Sequence, residues 1–151
     1  MKRTIIGAAV AALAAAAFAT SSAQSAAACV AGVKKINGVP ARTFCGPAKA
    51  TVKIGTATVA YSGGACSKSA AGFTINIGTV VLGNLKKKPE YFGITVKATA
   101  GAHANSSVAV VHASKSYAVL GTVTLKPGLK AGSFSGKAFG SPTKVTGSFS
   151  C

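Results

Sequence analysis

His103 and His112 are the two histidines of the chain, Glu90 is its single acid, and no aspartate occurs. That inventory excludes most hydrolytic chemistry. Paired-carboxylate glycoside cleavage needs two acids. A Ser-His-Asp triad lacks its third member. Calcium and magnesium sites draw on several carboxylates, and no His-Glu-x-x-His zinc motif is present. Serines are abundant, so a Ser-His dyad stays open, but no Gly-x-Ser-x-Gly elbow singles one out. His103 lies in the loop-like stretch GAHANSS and His112 ends an alternating run. Both read as structural or solvated. No catalytic, cofactor-binding or metal-ligating residue is expected, and Glu90 reads as a lone exposed acid with at most surface ion pairs.

The cysteines at 29, 45, 66 and 151 contain no Cys-x-x-Cys spacing, which argues against zinc. Four cysteines in an exported chain suggest two bridges, for which three pairings exist. Cys29 has a second reading, as a lipid anchor. A lipidation signal places a large aliphatic residue three positions before the cysteine, and here Ala26 stands there after the polar stretch Thr20 to Ser25. A lipid on Cys29 would also leave three cysteines over. Both points favour a bridge, while the AAAC context keeps lipidation open.

Lys86, Lys87 and Lys88 form the densest positive cluster, closed by Pro89 and followed by Tyr91 and Phe92. Such a cluster reads as a solvated loop before a strand. Its alternative is cation-plus-aromatic recognition of a polyanion by Lys86, Lys87, Lys88 and Tyr91. No zinc-finger spacing or RNA-recognition signature supports a specific nucleic-acid role. Asn105-Ser106-Ser107 is a formal glycosylation sequon, meaningful only in a host that uses one.

The elements that must position these residues begin after an export signal. Lys2 and Arg3 precede an uncharged apolar run, Ile5 to Ala19, and a small-residue stretch ending in Ala26-Ala27-Ala28. This is the order of a secretory signal, with cleavage expected between Ala23 and Cys29. The run is shorter than the ~20 residues of a membrane span. Residues 1–28 are therefore assigned to the signal, 29–48 to an N-terminal arm and 49–151 to one β-domain. The arm, around VKKINGVPARTF, reads as loop-like. The chain carries 17 Lys and Arg against one acid. Without Lys2 and Arg3 the net charge is about +14, which attracts polyanions by counterion release and opposes compaction. Scattered lysines that merely solubilise the surface are the plainer reading.

Past Cys29, apolar residues alternate with period two. Val52 and Ile54 flank Lys53; Ala57, Val59 and Tyr61 share a face. Phe73, Ile75 and Ile77 form the cleanest half-buried strand, and Phe92, Ile94 and Val96 another. Val108, Val110 and His112 follow, then Tyr117 to Leu125, Phe134, and Val145 to Cys151. Turn signals separate them, among them Gly63-Gly64, Lys88-Pro89, Pro127-Gly128 and Gly140-Ser141-Pro142. No run has helical periodicity. The expected fold is all-β, a single antiparallel β-sandwich or meander.

CSKSAAGFTINIG (Cys66 to Gly78), SYAVLGTVT (Ser116 to Thr124) and VTGSFSC (Val145 to Cys151) together resemble the LpqH-type lipoprotein antigens of mycobacteria. In that family a cysteine precedes an Ile-x-Ile-Gly strand and a last strand ends in cysteine. The resemblance covers roughly Cys66 to Cys151. It departs at Cys29, whose lipidation context is poor, at Cys45, which has no counterpart, and in the missing acids. It implies an exported, non-enzymatic envelope protein, exposed at the surface as an antigen or adhesin. It also implies a Cys66–Cys151 bridge, which would close a loop of 85 residues and stabilise by ~4–5 kcal/mol in the chain-entropy treatment. Cys29 and Cys45 are then left to pair; the competing pattern joins Cys45 to Cys66 and Cys29 to Cys151.

The functional expectation is an exported, non-enzymatic cell-envelope or secreted β-domain acting as a surface antigen, adhesin, structural or binding protein. Its alternative is a cationic protein that binds wall polymer, anionic lipid or nucleic acid. Expected partners are anionic polymers or host surface molecules, with a membrane only if Cys29 is lipidated. The alanine-rich signal fits a high-GC bacterium.

Overall fold

A computed structural model describes residues 29–151; the export segment expected over 1–28 lies outside the described residues. Ten strands follow in chain order: β1 Gly32–Ile36, β2 Val39–Phe44, β3 Ala48–Ile54, β4 Ala57–Ser69, β5 Gly72–Val81, β6 Tyr91–Val96, β7 Gly101–His112, β8 Lys115–Leu125, β9 Ala131–Ala138 and β10 Lys144–Ser150. Strands β3 to β10 each pair antiparallel with the next, and β10 returns to β3, from Val145 opposite Ile54 to Ser150 opposite Lys49. The fold is thus all-β and antiparallel, but the sheet closes on itself as an eight-stranded barrel. It is neither a sandwich of two sheets nor an open meander. Closure pairs the strand edges that either alternative would leave open.

Alternation sets the inside. Val52, Ile54, Phe73, Ile75, Ile77, Phe92, Ile94, Val108, Val110, Val119, Val123, Phe134, Val145 and Phe149 are all buried in one cluster. Phe92 is its centre, with ring centroids 5.6 Å from Phe134, 5.9 Å from Tyr61 and 6.4 Å from Phe149. Bulk is balanced by glycine across β9 and β10. Phe134 stands opposite Gly147, and Phe149 opposite Gly132. A Cβ at either glycine would strike the facing ring. The barrel is filled by side chains, as small barrels are.

The arm is not a loop. β1 and β2 form a hairpin on Asn37-Gly38, with φ of 48° and 81°, the positive pair that a tight two-residue turn requires and that Asn-Gly adopts readily. β2 then extends the sheet along the far end of β5, Ala41 opposite Val81 to Phe44 opposite Gly78. Gly63-Gly64, expected as a turn, lies inside β4. There the strand passes from β3 to β5: Ala48 pairs with Gly64, and Ala65 with Asn76. A Cβ on Gly64 would run into the Asn76 carbonyl. A bend that tight admits only glycine.

Two bridges staple the fold, Cys66–Cys151 and Cys29–Cys45. The first ties the end of β10 to β4, the strand beyond β3. It therefore locks the seam at which the barrel closes. The second clasps the open end of the β1–β2 hairpin. In this state the Cys29 sulfur is committed to Cys45.

Candidate functional site

The connection from β5 to β6, residues 82–90, carries the lysine cluster across one end of the barrel. Lys86 and Lys87 are exposed there. Lys88 is half-buried, and its Nζ donates to Ser116 Oγ at 3.0 Å. Of the three, Lys88 has this hydrogen bond to β8. Tyr91 opens β6 outward, away from Lys86 and Lys87 in its bonding. Its hydroxyl donates to Asn76 Oδ1 at 2.5 Å, and its ring lies 6.3 Å from Phe44 and covers Gly93. Arg42 sits over Phe44 at 5.2 Å, a cation–π contact that continues the stack. Burial raises the Tyr91 phenol above its ordinary pKa. Lys86, Lys87, Lys88 and Tyr91 are thus brought to one end of the molecule, with Lys88 and Tyr91 already partnered within the chain.

Glu90 is the residue whose role the sequence least revealed. Its Oε1 accepts from the Ala113 N–H at 2.8 Å, and its Oε2 lies 3.1 Å from His112 Nδ1. Ala113 and Ser114 form the β7–β8 turn with φ of 49° and 64°, a left-handed pair at non-glycine residues and therefore costly. The carboxylate satisfies the amide that this turn turns outward. Lys88–Ser116 and Ser114 Oγ, 3.5 Å from the Lys88 carbonyl, fasten the same loop to the same hairpin. Tyr61 closes the barrel from within by donating to the Val111 carbonyl at 3.1 Å. Its pKa is strongly raised, first by burial, then by the negative charge of Glu90 and by Tyr117.

Between the loop and the outer faces of β7 and β8 lies an apolar groove of about 240 Å³, lined by Val81, Lys88, Tyr91, Val111 and Tyr117 among others. It offers shape and one cation, but no nucleophile–base pair. His103 is at the other end of β7, its Nε2 2.8 Å from the Thr99 carbonyl oxygen. The two histidines share a strand and face opposite ends of the barrel. Among the described residues, no three His, Cys, Asp or Glu side chains converge as metal ligands would. Asn105 of the sequon sits on an exposed bulge of β7 with φ of 53°. No family model, no curated protein and no solved structure matches the chain.

Proposed function

We propose that this protein is an exported, non-enzymatic barrel of the cell envelope or extracellular medium that works through its outer surface, as an antigen, adhesin, structural or binding domain. The observation that carries this reading is the filled interior. The Phe92-centred cluster occupies the space in which a larger barrel holds a ligand, so recognition falls to the outside. The export signal and the two bridges support an oxidising compartment. The resemblance of Cys66 to Cys151 to the lipoprotein antigens supports the envelope role. Mass spectrometry of the exported protein tests the placement. The expected species lacks the first 23–28 residues, carries two bridges and has no acyl mass. Full-length chain with free thiols in the cytosol overturns it, and a His-dependent turnover signal in a hydrolase screen overturns the non-enzymatic assignment.

A second reading, polyanion binding, is favoured by the charge balance of one acid against 17 Lys and Arg. That acid is engaged with Ala113 and His112, so it offers little to offset the cations elsewhere. Retention on a heparin column beyond about 0.5 M salt supports this reading, because diffuse charge loses affinity steeply with salt.

A further inference from the structure

We infer that the outer face of β3, β10 and β9 is the binding surface for a linear anionic polysaccharide, a uronate or sulfated glycan; this rests on the polyanion reading and moves its site away from the Lys86–Lys88 loop. The first observation is a charge placed at a cost. Lys144 and Lys137 are direct cross-strand partners on the outside of the barrel, and both are exposed. Like charges directly opposite each other destabilise a sheet, and lysine is a poor strand former to begin with. No carboxylate relieves them, because the single acid is held at the β7–β8 turn. Lys53 on β3 and Lys49 at its start add to the same face. Lys126 and Lys130 flank it in the β8–β9 connection. An anion laid across the strands would neutralise what the chain leaves unpaired.

The second observation is what stands between the lysines. Barrel register aligns Thr51, Ser148, Ser133 and Thr124 in one outward row, and Thr58, Lys53, Thr146, Ser135 and Thr122 in the next. Each hydroxyl both donates and accepts, and successive strands repeat at about 4.8 Å. Neither row contains an aromatic or large aliphatic side chain. Bases of single-stranded nucleic acid bind on aromatic platforms, and interfacial membrane binding needs apolar side chains to insert. Both are missing from the rows. The nearest exposed apolar side chains stand at the margin, Leu120 opposite Lys137 and Phe139 just past the end of β9. Hydroxyl rows framed by cations fit a partner that is itself hydroxylated and negatively charged along its length.

The test compares two triple variants that remove equal charge. The face variant is Lys53→Ser, Lys137→Ser, Lys144→Ser; the loop variant is Lys86→Ser, Lys87→Ser, Lys88→Ser. Both are titrated with a size-defined heparin oligosaccharide at constant ionic strength, with circular dichroism and thermal melts confirming the fold. The face variant is expected to lose at least tenfold in affinity and the loop variant less than threefold. Equal losses, or a larger loss in the loop variant, overturn the placement while leaving polyanion binding intact. Failure of the unmodified protein to bind the oligosaccharide overturns both readings. Should single-stranded DNA or phosphatidylglycerol vesicles bind as tightly as the glycan, the glycan assignment falls. A separate pair, Thr51→Val with Ser148→Ala, keeps every charge and is expected to weaken glycan binding severalfold. No change there removes the role of the hydroxyl rows.

Discussion

The β3–β10–β9 side of the barrel and the β6–β7–β8 side share one interior but are held by different means. On the first, the seam between first and last barrel strands is covalently stapled by Cys66–Cys151, and the outside carries rows of hydroxyls and lysines. On the second there is no staple. A loop is fastened by Glu90 to the β7–β8 turn and by Lys88 to Ser116, while inside the barrel Tyr61 of β4 bonds the Val111 carbonyl of β7. The outside there is an apolar groove. The contrast teaches that the inward alternation specifies the barrel all the way round, while the outward positions are free to differ. It also separates rigid from yielding. A covalently stapled seam resists opening, whereas a loop held by a few partly exposed polar contacts opens at lower cost.

The largest effect tests the staple. Replacing Cys66 and Cys151 by serine is expected to lower stability by ~4–5 kcal/mol, against ~3 kcal/mol for the Cys29 and Cys45 pair, because the closed loops span 85 and 16 residues. Urea denaturation of the two double variants measures this. Equal losses would mean that the seam gains nothing special from its bridge.

Tyr61→Phe probes the other side. Loss of the hydroxyl bond to Val111 is expected to cost ~1 kcal/mol at neutral pH. The same substitution should also remove an alkaline sensitivity. Because the folded phenol titrates above its unfolded value, the folded state holds its proton more tightly. That contribution to stability is full below the unfolded pKa of about 10 and is lost as pH rises past it. Melts of the two proteins between about pH 9 and 11 should therefore converge. A constant gap would mean that Tyr61 is not shielded from solvent.

Glu90→Ala is expected to cost about 1 kcal/mol by orphaning the Ala113 amide in a strained turn, and Glu90→Gln to recover much of it, since an amide oxygen can still accept that bond. Chemical denaturation of both variants gives the difference. If the two cost the same, charge rather than the turn amide is what Glu90 supplies. The smallest effect returns to the lysine face. Lys144→Thr should stabilise by a few tenths of a kcal/mol at low salt, by removing a like-charge cross-strand pair and adding a better strand former. A destabilisation would show that Lys144 has a partner within the fold.

Much of the barrel was legible because period-two alternation is local. The runs at Phe73, Phe92 and Val108 each fall within a strand, with the expected residues inside. The arm reads as a loop although Asn37-Gly38 is a strong short hairpin signal, because its flanking residues alternate poorly where β1 is exposed on both faces. Gly63-Gly64 misled for the opposite reason. Two glycines mark a turn or a tight bend, and only the neighbouring backbone of β5 decides which. At the candidate site, contiguity in sequence does not give the three lysines the same surroundings. Lys86 to Lys88 are neighbours in sequence, yet hydrogen bonding draws Lys88 onto β8 and leaves the other two in solvent.

The sequence by itself determined which residues face inward, that the strands are many, that cations outnumber acids overwhelmingly, and how many bridges are available. Each of these is a property of composition or of a few adjacent residues. Tertiary structure alone decided that β10 returns to β3, and so that Lys53 stands beside the Lys137–Lys144 pair of the β9–β10 hairpin. It also decided that Glu90 reaches the Ala113 turn 23 residues away. Alternation tells a side chain which face of a strand it occupies, but register between distant strands is set only when the sheet closes and every inward residue must fit against Phe92 and its neighbours at once.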